Sequence, residues 1–277
     1  MGKKHSVTRL ILLTAALLTL LLTAACGGAP AAAPPASNPP ADAGGDQAAA
    51  AEKLIIATNA EFPPFEFISE QGSGVIGEYD GVDIMLAQAL AAELGMEVEI
   101  SNMDFDAIIP AVISGKATVG IAGMTITEER LANVDFSIPY WVAVQSIIVP
   151  AESEIAGVDD LQGKKVGIIT GFTGDIALSA IGGIDLQHYK KGVDAVLDLN
   201  NGRIEAVVID SPTAHKLIAN FPDMRAIDDD PVFETESYAI CAAKGNDEFL
   251  AKLNAALQTL IDNGEIENFA AEVDARL

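Results

Sequence analysis

The sequence contains little cysteine, little histidine and little positive charge, and each shortage excludes a kind of site. Two of its 277 residues are cysteines and three are histidines. Only His188 and His215 follow residue 51, and their spacing is not that of metal ligands, so we expect no metal site. The 40 acidic residues outnumber the 16 cationic residues, which gives a net charge of −24. Such a charge argues against nucleic acid or an anionic membrane surface as a partner.

Long apolar runs are also scarce, and the one that is present lies near the N-terminus. Leu10–Leu22 follows basic residues and precedes small ones, and it is too short to span a bilayer comfortably. This pattern is typical of a secretory signal peptide, which we place at residues 1–25. The following cysteine, Cys26, lies in a segment that resembles the lipobox of bacterial lipoproteins, although Thr23 replaces the usual leucine. We predict lipidation of Cys26; the alternative is an ordinary cleaved signal with an incidental cysteine.

Residues 26–51 are expected to form a tether rather than a folded segment. After Cys26 the segment contains only Gly, Ala, Pro, Ser, Asn, Asp and Gln, so it cannot build a core. A flexible chain of this length reaches about 25–30 Å. We therefore expect a folded domain held outside the cytoplasm, on the outer face of the cell membrane or in a periplasm, with the lipid as its only membrane attachment. Cys241 is then left without a disulfide partner, and we expect it to be a small core residue.

Beyond the tether, strand-like runs alternate with helical patterns. Lys53–Thr58 and Lys165–Ile169 are typical of buried strands, and Val82–Leu94 is typical of a helix that ends at Gly95. This alternation predicts α/β lobes with largely parallel sheets. In such sheets ligands bind beyond the carboxyl ends of the strands.

The segment from Met124 to Arg130 combines a helix start with a lone arginine. Thr125 and Glu128 have the spacing of a capping box, which predicts that a helix begins there. Free N–H groups of a first helical turn and a forked guanidinium are suited to a carboxylate. The alternative is a capped surface helix with a solvated arginine.

Other polar residues follow further predicted strands. Thr170–Gly174 forms either a cradle of backbone donors or a tight turn, and Asp210 either pairs with a cation or caps the next helix. The loop residues Phe62 and Phe105 are either core residues or walls of a ligand pocket. A zwitterion fits this set of groups. Its carboxylate would meet Arg130, its ammonium would meet Asp210, and the two phenylalanine rings would flank it.

Seven motifs, in order, resemble those of the polar amino-acid solute-binding proteins of ABC importers (bacterial extracellular solute-binding protein family 3), here in a lipoprotein form. The similarity spans about residues 53–269. The motifs are Ala57–Phe65, Gly81–Ile84, Met103–Ala111, Ala122–Arg130, Asn133–Tyr140, Val166–Gly174 and Val207–Asp210.

The resemblance implies a two-lobed, type II periplasmic-binding-protein-like α/β fold, with mixed, mainly parallel sheets flanked by helices and a two-strand hinge. Residues 52–141 plus 238–277 would form lobe 1, and residues 142–237, including hinge segments, would form lobe 2. The implied function is to capture an amino acid between the lobes and deliver it to the permease subunits of an ABC transporter. The implied protein is a monomer without catalytic residues or cofactors.

The resemblance also implies roles for individual residues. Arg130 and Thr125 would bind the α-carboxylate, and Asp210 would bind the α-ammonium. The relatives often have Asp at the position of Asn59, which weakly disfavours a cationic ligand, although Glu61 could restore the charge; we therefore expect a polar or neutral amino acid. The full predicted ligand-binding set is Asn59, Phe62, Phe105, Ala122, Gly123, Met124, Thr125, Arg130, Thr170, Thr173, Gly174 and Asp210.

Two departures and two rival functions remain at this point. Phe172 stands where many relatives have threonine, and the loop Ser69–Tyr79 is long and rich in glycine without an evident role. One rival is an enzyme on the same fold, similar to cyclohexadienyl dehydratases, for which Glu61 or Asp210 could act as acid or base. The other rival is a ligand-sensing module that acts through a receptor.

Overall fold

The computed structural model describes residues 52–69 and 72–277. The predictions of a signal peptide, of lipidation at Cys26 and of a tether over residues 26–51 lie outside the described residues. Within the described part of the chain, no helix combines the length and the apolarity needed to cross a membrane.

Strands and helices alternate along the described chain, as the sequence pattern predicts. In chain order the elements are β1 (Lys53–Thr58), β2 (Glu61–Phe62), β3 (Glu66–Ile68), β4 (Tyr79–Asp80), α1 (Val82–Leu94), β5 (Glu97–Asn102), α2 (Ile108–Ile113), β6 (Val119–Gly120), α3 (Glu128–Leu131), β7 (Val134–Phe136), β8 (Trp141–Ala143), β9 (Gln145–Pro150), β10 (Lys165–Ile169), α4 (Thr173–Ile181), β11 (Asp185–Tyr189), α5 (Gly192–Asn200), β12 (Ala206–Asp210), α6 (Ser211–Ile218), β13 (Met224–Ile227), β14 (Glu236–Tyr238), β15 (Cys241–Ala243), α7 (Asp247–Asp262) and α8 (Glu265–Asp274).

The first lobe is built on a five-stranded sheet with the order β5-β1-β6-β15-β7. β1 is parallel to β5 and β6, whereas β15 runs antiparallel to β6 and β7. Leu54 and Ile56 of β1 are fully buried, and α1 packs against α7 and α8 on the sheet. Gly95 ends α1 in the left-handed conformation, as predicted. Cys241 is a buried free thiol in this core, which confirms the prediction made for it.

The second lobe is built on a sheet of the same size with the order β11-β10-β12-β9-β13. β10 is parallel to β11 and β12, and β9 is antiparallel to β12 and β13. The side chains of β9 and β12 are buried almost without interruption, as expected for strands that are covered on both faces.

Two extended segments connect the lobes and pair with each other. β8 and β14 form an antiparallel two-stranded sheet, with Trp141 opposite Tyr238 and Ala143 opposite Glu236. Two α/β lobes with a two-strand connection are the predicted type II fold, and the fold class is confirmed. The parallel strands of both lobes end facing the crevice between them, which places the loops after β6, β10 and β12 at one site.

Some elements differ from the sequence-based expectations. The sequence pattern of Asp106–Ser114 predicts one helix, but the structure has a 3-10 turn at Phe105–Ala107 followed by α2. The apolar run Tyr238–Ala243 predicts one strand, but its first residue ends β14 and its last three residues form β15. Because of this interruption, Tyr238 pairs with β8 in the connection between the lobes, whereas Cys241–Ala243 pair with β6 and β7 in the first-lobe sheet.

Candidate functional site

A small cavity between the two lobes contains most of the predicted ligand-binding residues. Its volume is about 10 Å³. This is room for about one water molecule, so an amino acid can enter only when side chains or lobes move apart. The lining residues are Phe62, Phe105, Ala122, Gly123, Thr125, Arg130, Phe172, Thr173 and Asp210.

Arg130 is buried in this cavity with 7 % of its surface exposed. Its Nη1 donates to the carbonyl oxygen of Thr125 at 2.7 Å and its Nη2 donates to that of Gly171 at 3.0 Å. Its guanidinium carbon lies 5.2 Å from the centroid of the Phe105 ring. Burial lowers the pKa of Arg130, and the charges of Asp210 and Glu236 oppose that shift. Among the described residues, no carboxylate oxygen lies within ion-pair distance of Arg130, which leaves a buried cation held by neutral partners.

Thr125 does not cap the helix that carries Arg130, so the predicted capping box is wrong. The cap of α3 is Thr127, whose hydroxyl accepts from the backbone N–H of Arg130 at 3.2 Å. Thr125 lies two residues before this cap, where it forms a β-bridge with Tyr238 and is too far from the first turn of α3 to cap it. Its hydroxyl is therefore free to face the cavity, where it donates to Glu236 Oε2 at 2.6 Å.

The second lobe supplies a matching donor at the start of α4. Thr173 is the first residue of that helix, and its hydroxyl donates to the same Glu236 Oε2 at 2.8 Å. Gln145 donates from Nε2 to the Thr173 hydroxyl at 3.0 Å. The N–H groups of the first turn, to which Gly174 belongs, lack acceptors within the helix and carry the positive end of its dipole. A Cβ at Gly174 would lie 2.7 Å from Gln145 Oε1 and 3.1 Å from Val208 Cγ1, so a larger residue there would displace the Gln145 side chain.

Asp210 occupies the N-cap position of α6, but its side chain makes no capping hydrogen bond. Its carboxylate instead accepts from the hydroxyl of Tyr238 at 2.6 Å, and only 3 % of its surface is exposed. Burial, followed by the charge of Glu236, raises the pKa of Asp210 to about 7. Of the two alternatives that the sequence leaves open, the structure therefore favours a side chain available to a cation.

Three aromatic rings pack around the cavity. Phe62 and Phe105 come from the first lobe, and Phe172 comes from the second. The centroid of the Phe172 ring lies 5.3 Å from that of Phe62 and 4.6 Å from that of Phe105, with edge-to-face geometry in both pairs. Phe172 thus contacts both predicted walls and narrows the space between them.

The remaining predicted residues lie beside the cavity rather than in its lining. Met124 is fully buried and borders an adjacent space of 230 Å³. Thr170 donates its hydroxyl to the carbonyl oxygen of Tyr189 at 3.3 Å. Asn59 donates to the carbonyl oxygen of Met103 at 2.9 Å and lines a separate space of 240 Å³ at the rim of the crevice.

The rim near Asn59 is crossed by ion pairs that the sequence did not reveal. Lys191 of the second lobe lies 2.6 Å from Glu61 of the first. Lys190 lies 3.2 Å from both Asp104 and Asp106. These cations pair with the acidic groups at this end of the crevice.

A buried carboxyl pair beneath the cavity was also missed by the sequence analysis. Asp83 Oδ2 accepts from the backbone N–H of Gly123 and from the hydroxyl of Tyr140, each at 2.8 Å. Glu66 is fully buried beside Asp83. Burial raises the pKa of Asp83 to about 6, and burial together with the Asp83 charge raises the pKa of Glu66 well above its ordinary value. The Asp83 carboxylate fixes the backbone at Gly123, whose φ is +51°.

The arrangement is suited to charge recognition. One buried guanidinium, two hydroxyls and one buried carboxylate line the same cavity. Over residues 52–69 and 72–277, no group of three His, Cys, Asp or Glu side chains is placed to hold a metal ion.

Comparison with known proteins identifies relatives over nearly the whole described chain. The profile of the bacterial extracellular solute-binding proteins, family 3, matches residues 54–272. A protein of Neisseria gonorrhoeae named "Probable histidine-binding protein" is 32 % identical over 229 residues, covering 80 % of this chain and 82 % of that protein.

Solved structures with the same architecture have higher identity. A mutant of the protein ArgBP from T. maritima superposes with a TM-score of 0.74 at 38 % identity, over 80 % of this chain and 95 % of that one. An ancestral arginine-binding protein bound to glutamine superposes with a TM-score of 0.73 at 39 % identity, over 79 % and 96 % of the two chains.

Proposed function

The chain belongs to the bacterial extracellular solute-binding proteins of family 3, and on that premise we propose that it captures a free amino acid between its lobes for an ABC transporter. The lobes open, admit the ligand and close over it, and the permease subunits in the membrane receive the closed form. The amino acid is bound and released unchanged.

The observation that carries this proposal is that the buried guanidinium of Arg130 has only neutral hydrogen-bond partners among the described residues. A buried charge without a charged partner costs several kcal/mol, which a bound carboxylate would offset. The guanidinium has two carbonyl acceptors, at Thr125 and Gly171, that hold its orientation. The hydroxyls of Thr125 and Thr173 lie at the same site and would complete the carboxylate-binding group.

The opposite end of the ligand would be bound by Asp210. Its buried carboxylate, together with the backbone of Ala122 and Gly123, would receive the α-ammonium. The same grip accounts for relatives named for amino acids as different as histidine and arginine, because it uses only the groups that all amino acids share. Gly174, Thr170 and Met124 would support the binding residues from behind.

The side chain of the ligand is proposed to be polar and neutral. It would lie between Phe62 and Phe105 and point toward Asn59, where the nearby acidic groups are already paired with Lys190 and Lys191. The positively charged side chain of an arginine or lysine ligand would be repelled by these two cations at the rim.

The N-terminal tether and the division into lobes would set the cellular location and the motion of the protein. A lipid on Cys26 would tether a monomer to the outer face of the cell membrane or within a periplasm, and the tether would let it reach the permease. Residues 52–141 plus 238–277 would move as one lobe and residues 142–237 as the other, with the rotation at β8 and β14.

Isothermal titration calorimetry of the purified protein against the twenty amino acids tests the function. We expect one-to-one binding of at least one neutral polar amino acid, and recovery of that ligand unchanged by mass spectrometry. Arg130→Ala should weaken binding by about a hundredfold or more while the far-ultraviolet circular dichroism spectrum stays the same.

Arg203→Ala is the matched control, because Arg203 is exposed and, within the part of the chain that the structure describes, pairs only with Asp198 on its own lobe. It should bind like the wild type. Wild-type affinity in Arg130→Ala would reject the carboxylate clamp, and conversion of the ligand into a product would support the enzyme alternative instead.

A further inference from the structure

The carboxylate of Glu236 binds the two hydroxyls that the proposed function assigns to the ligand. Glu236 Oε2 accepts from Thr125 Oγ1 at 2.6 Å and from Thr173 Oγ1 at 2.8 Å. Its Oε1 accepts from Gln145 Nε2 at 3.2 Å. Both hydroxyl contacts are short, as is usual for hydrogen bonds to an ionised acceptor.

These contacts join the two lobes through a residue of the connection between them. Thr125 lies in the first lobe and Thr173 in the second, whereas Glu236 begins β14, which pairs with β8. One oxygen atom therefore holds one hydroxyl from each lobe. A carboxylate at this position stabilises the closed arrangement by the same contacts that an amino-acid carboxylate would make.

We propose that Glu236 is an internal competitor for the carboxylate site, which a ligand must displace before it can bind. This inference rests on the proposed function, because the competition concerns the amino-acid carboxylate. Without ligand, Glu236 accepts hydrogen bonds from the hydroxyls of Thr125 and Thr173. An incoming carboxylate pairs with Arg130 and accepts these two hydrogen bonds in place of Glu236. Glu236 then turns away from the cavity while β14 keeps its place beside β8.

These hydrogen bonds from Thr125 and Thr173 to Glu236, here called the clasp, lower the apparent affinity for the amino acid. When only a fraction of the molecules have free hydroxyls, the apparent dissociation constant increases by the inverse of that fraction. Glu236→Gln preserves the shape of the side chain but replaces charged acceptors with a weaker neutral one. We expect this variant to bind its amino acid about tenfold more tightly than the wild type.

A second readout requires no amino acid. If Glu236 holds the lobes together, the radius of gyration measured by small-angle X-ray scattering should be larger for Glu236→Gln than for the wild type. Saturating amino acid should bring both proteins to the same radius, because the ligand then replaces the clasp.

Glu234→Gln is the matched control. It makes the same change of charge two residues away, at an exposed position outside the cavity. It should leave both the dissociation constant and the scattering radius at their wild-type values.

The outcomes separate this inference from the proposed function. Weaker or unchanged binding in Glu236→Gln, with Glu234→Gln unaffected, would overturn the competition; weaker binding would mark Glu236 as a group that holds the ligand. If the wild type bound no amino acid, the proposed function would fail. In that case, equal radii of gyration for Glu236→Gln and the wild type would show that Glu236 does not hold the lobes together. A larger radius of gyration for the variant would show that it does.

Discussion

The guanidinium of Arg130 in the first lobe donates a hydrogen bond of 3.0 Å to the carbonyl oxygen of Gly171 in the second lobe. Gly171 has a φ of +81°, a conformation that favours glycine, and a Cβ there would lie 3.7 Å from the Cβ of Asp106. The side chain assigned to the ligand carboxylate therefore also contacts the opposite lobe. Under the proposed function, closure and ligand recognition would use the same residue, and the site would be complete only when the lobes are together.

Amino-acid affinity should increase with pH around neutrality. Burial and the charge of Glu236 raise the pKa of Asp210 to about 7, so below that pH the carboxyl carries a proton that an ammonium ligand must displace. Affinity should therefore rise as pH increases from about 6 to about 8, by at most about tenfold per unit, and level off above. Calorimetry across this range measures it. Asp210→Asn should bind weakly with a flat pH profile; an equally steep profile in that variant would contradict the assignment.

Removing the charge of Lys191 should shift preference toward cationic ligands. Lys191→Met keeps an apolar chain of similar length but leaves Glu61 without its partner. The pair is partly exposed, so we expect arginine to gain no more than about fivefold relative to glutamine. Competition calorimetry measures the ratio. Lys53→Met, which removes an exposed ion pair with Glu99 outside the crevice, should leave the ratio unchanged, and a ratio that changes equally in both variants would refute the rim interpretation.

The buried pair of Glu66 and Asp83 should make stability depend on pH. The native pKa values of both groups are raised, chiefly by burial, so the native protein retains protons that the unfolded chain releases as pH rises above about 4. This pair therefore lowers the free energy of unfolding as pH rises from about 4 through 6, and Glu66 extends the loss to higher pH. Glu66→Gln removes one of the two titrating carboxyls and its charge beside Asp83, and should flatten that dependence.

Urea denaturation at a series of pH values compares the wild type with Glu66→Gln. Glu93→Gln, on the exposed face of α1, is the control and should retain the wild-type slope. A wild-type slope in Glu66→Gln would show that the pair does not hold an extra proton.

Cys26→Ser should release the protein from membranes. If the cysteine carries the only lipid, the variant loses its anchor while the folded domain is unchanged. Fractionation of cells that express each protein, followed by immunoblotting, measures the membrane-bound share. Membrane association at the wild-type level would show that another attachment exists.

The sequence predicted the elements with strong local signals. The bounds of β1 and β10 match because each is a largely apolar run followed by a polar residue, and those of α1 match because its helical pattern ends at Gly95. β11 was missed because its residues, Asp185–Tyr189, are largely polar and only partly buried at the edge of a sheet. Its place depends on pairing with β10, which no local pattern records.

The candidate site was predicted in part, for a related reason. Arg130, Thr173 and Asp210 follow strands whose carboxyl ends meet, so their convergence could be inferred from topology. Glu236 could not be inferred, since it lies more than 60 residues from either hydroxyl partner and its only signal was a place in a connecting segment. The cap at Thr127 rather than Thr125 likewise depends on the distant bridge to Tyr238.

The central claim is that one zwitterion is held at both charged ends, and a cycle of ligand and protein changes tests it most directly. Calorimetry would compare the bound amino acid with its analogues lacking the α-carboxylate or the α-ammonium, on the wild type, Arg130→Ala and Asp210→Asn. We predict that Arg130→Ala weakens the amino acid by about a hundredfold or more but barely affects the analogue without a carboxylate, and that Asp210→Asn shows the converse. Equal losses for all three ligands in both variants would contradict the account.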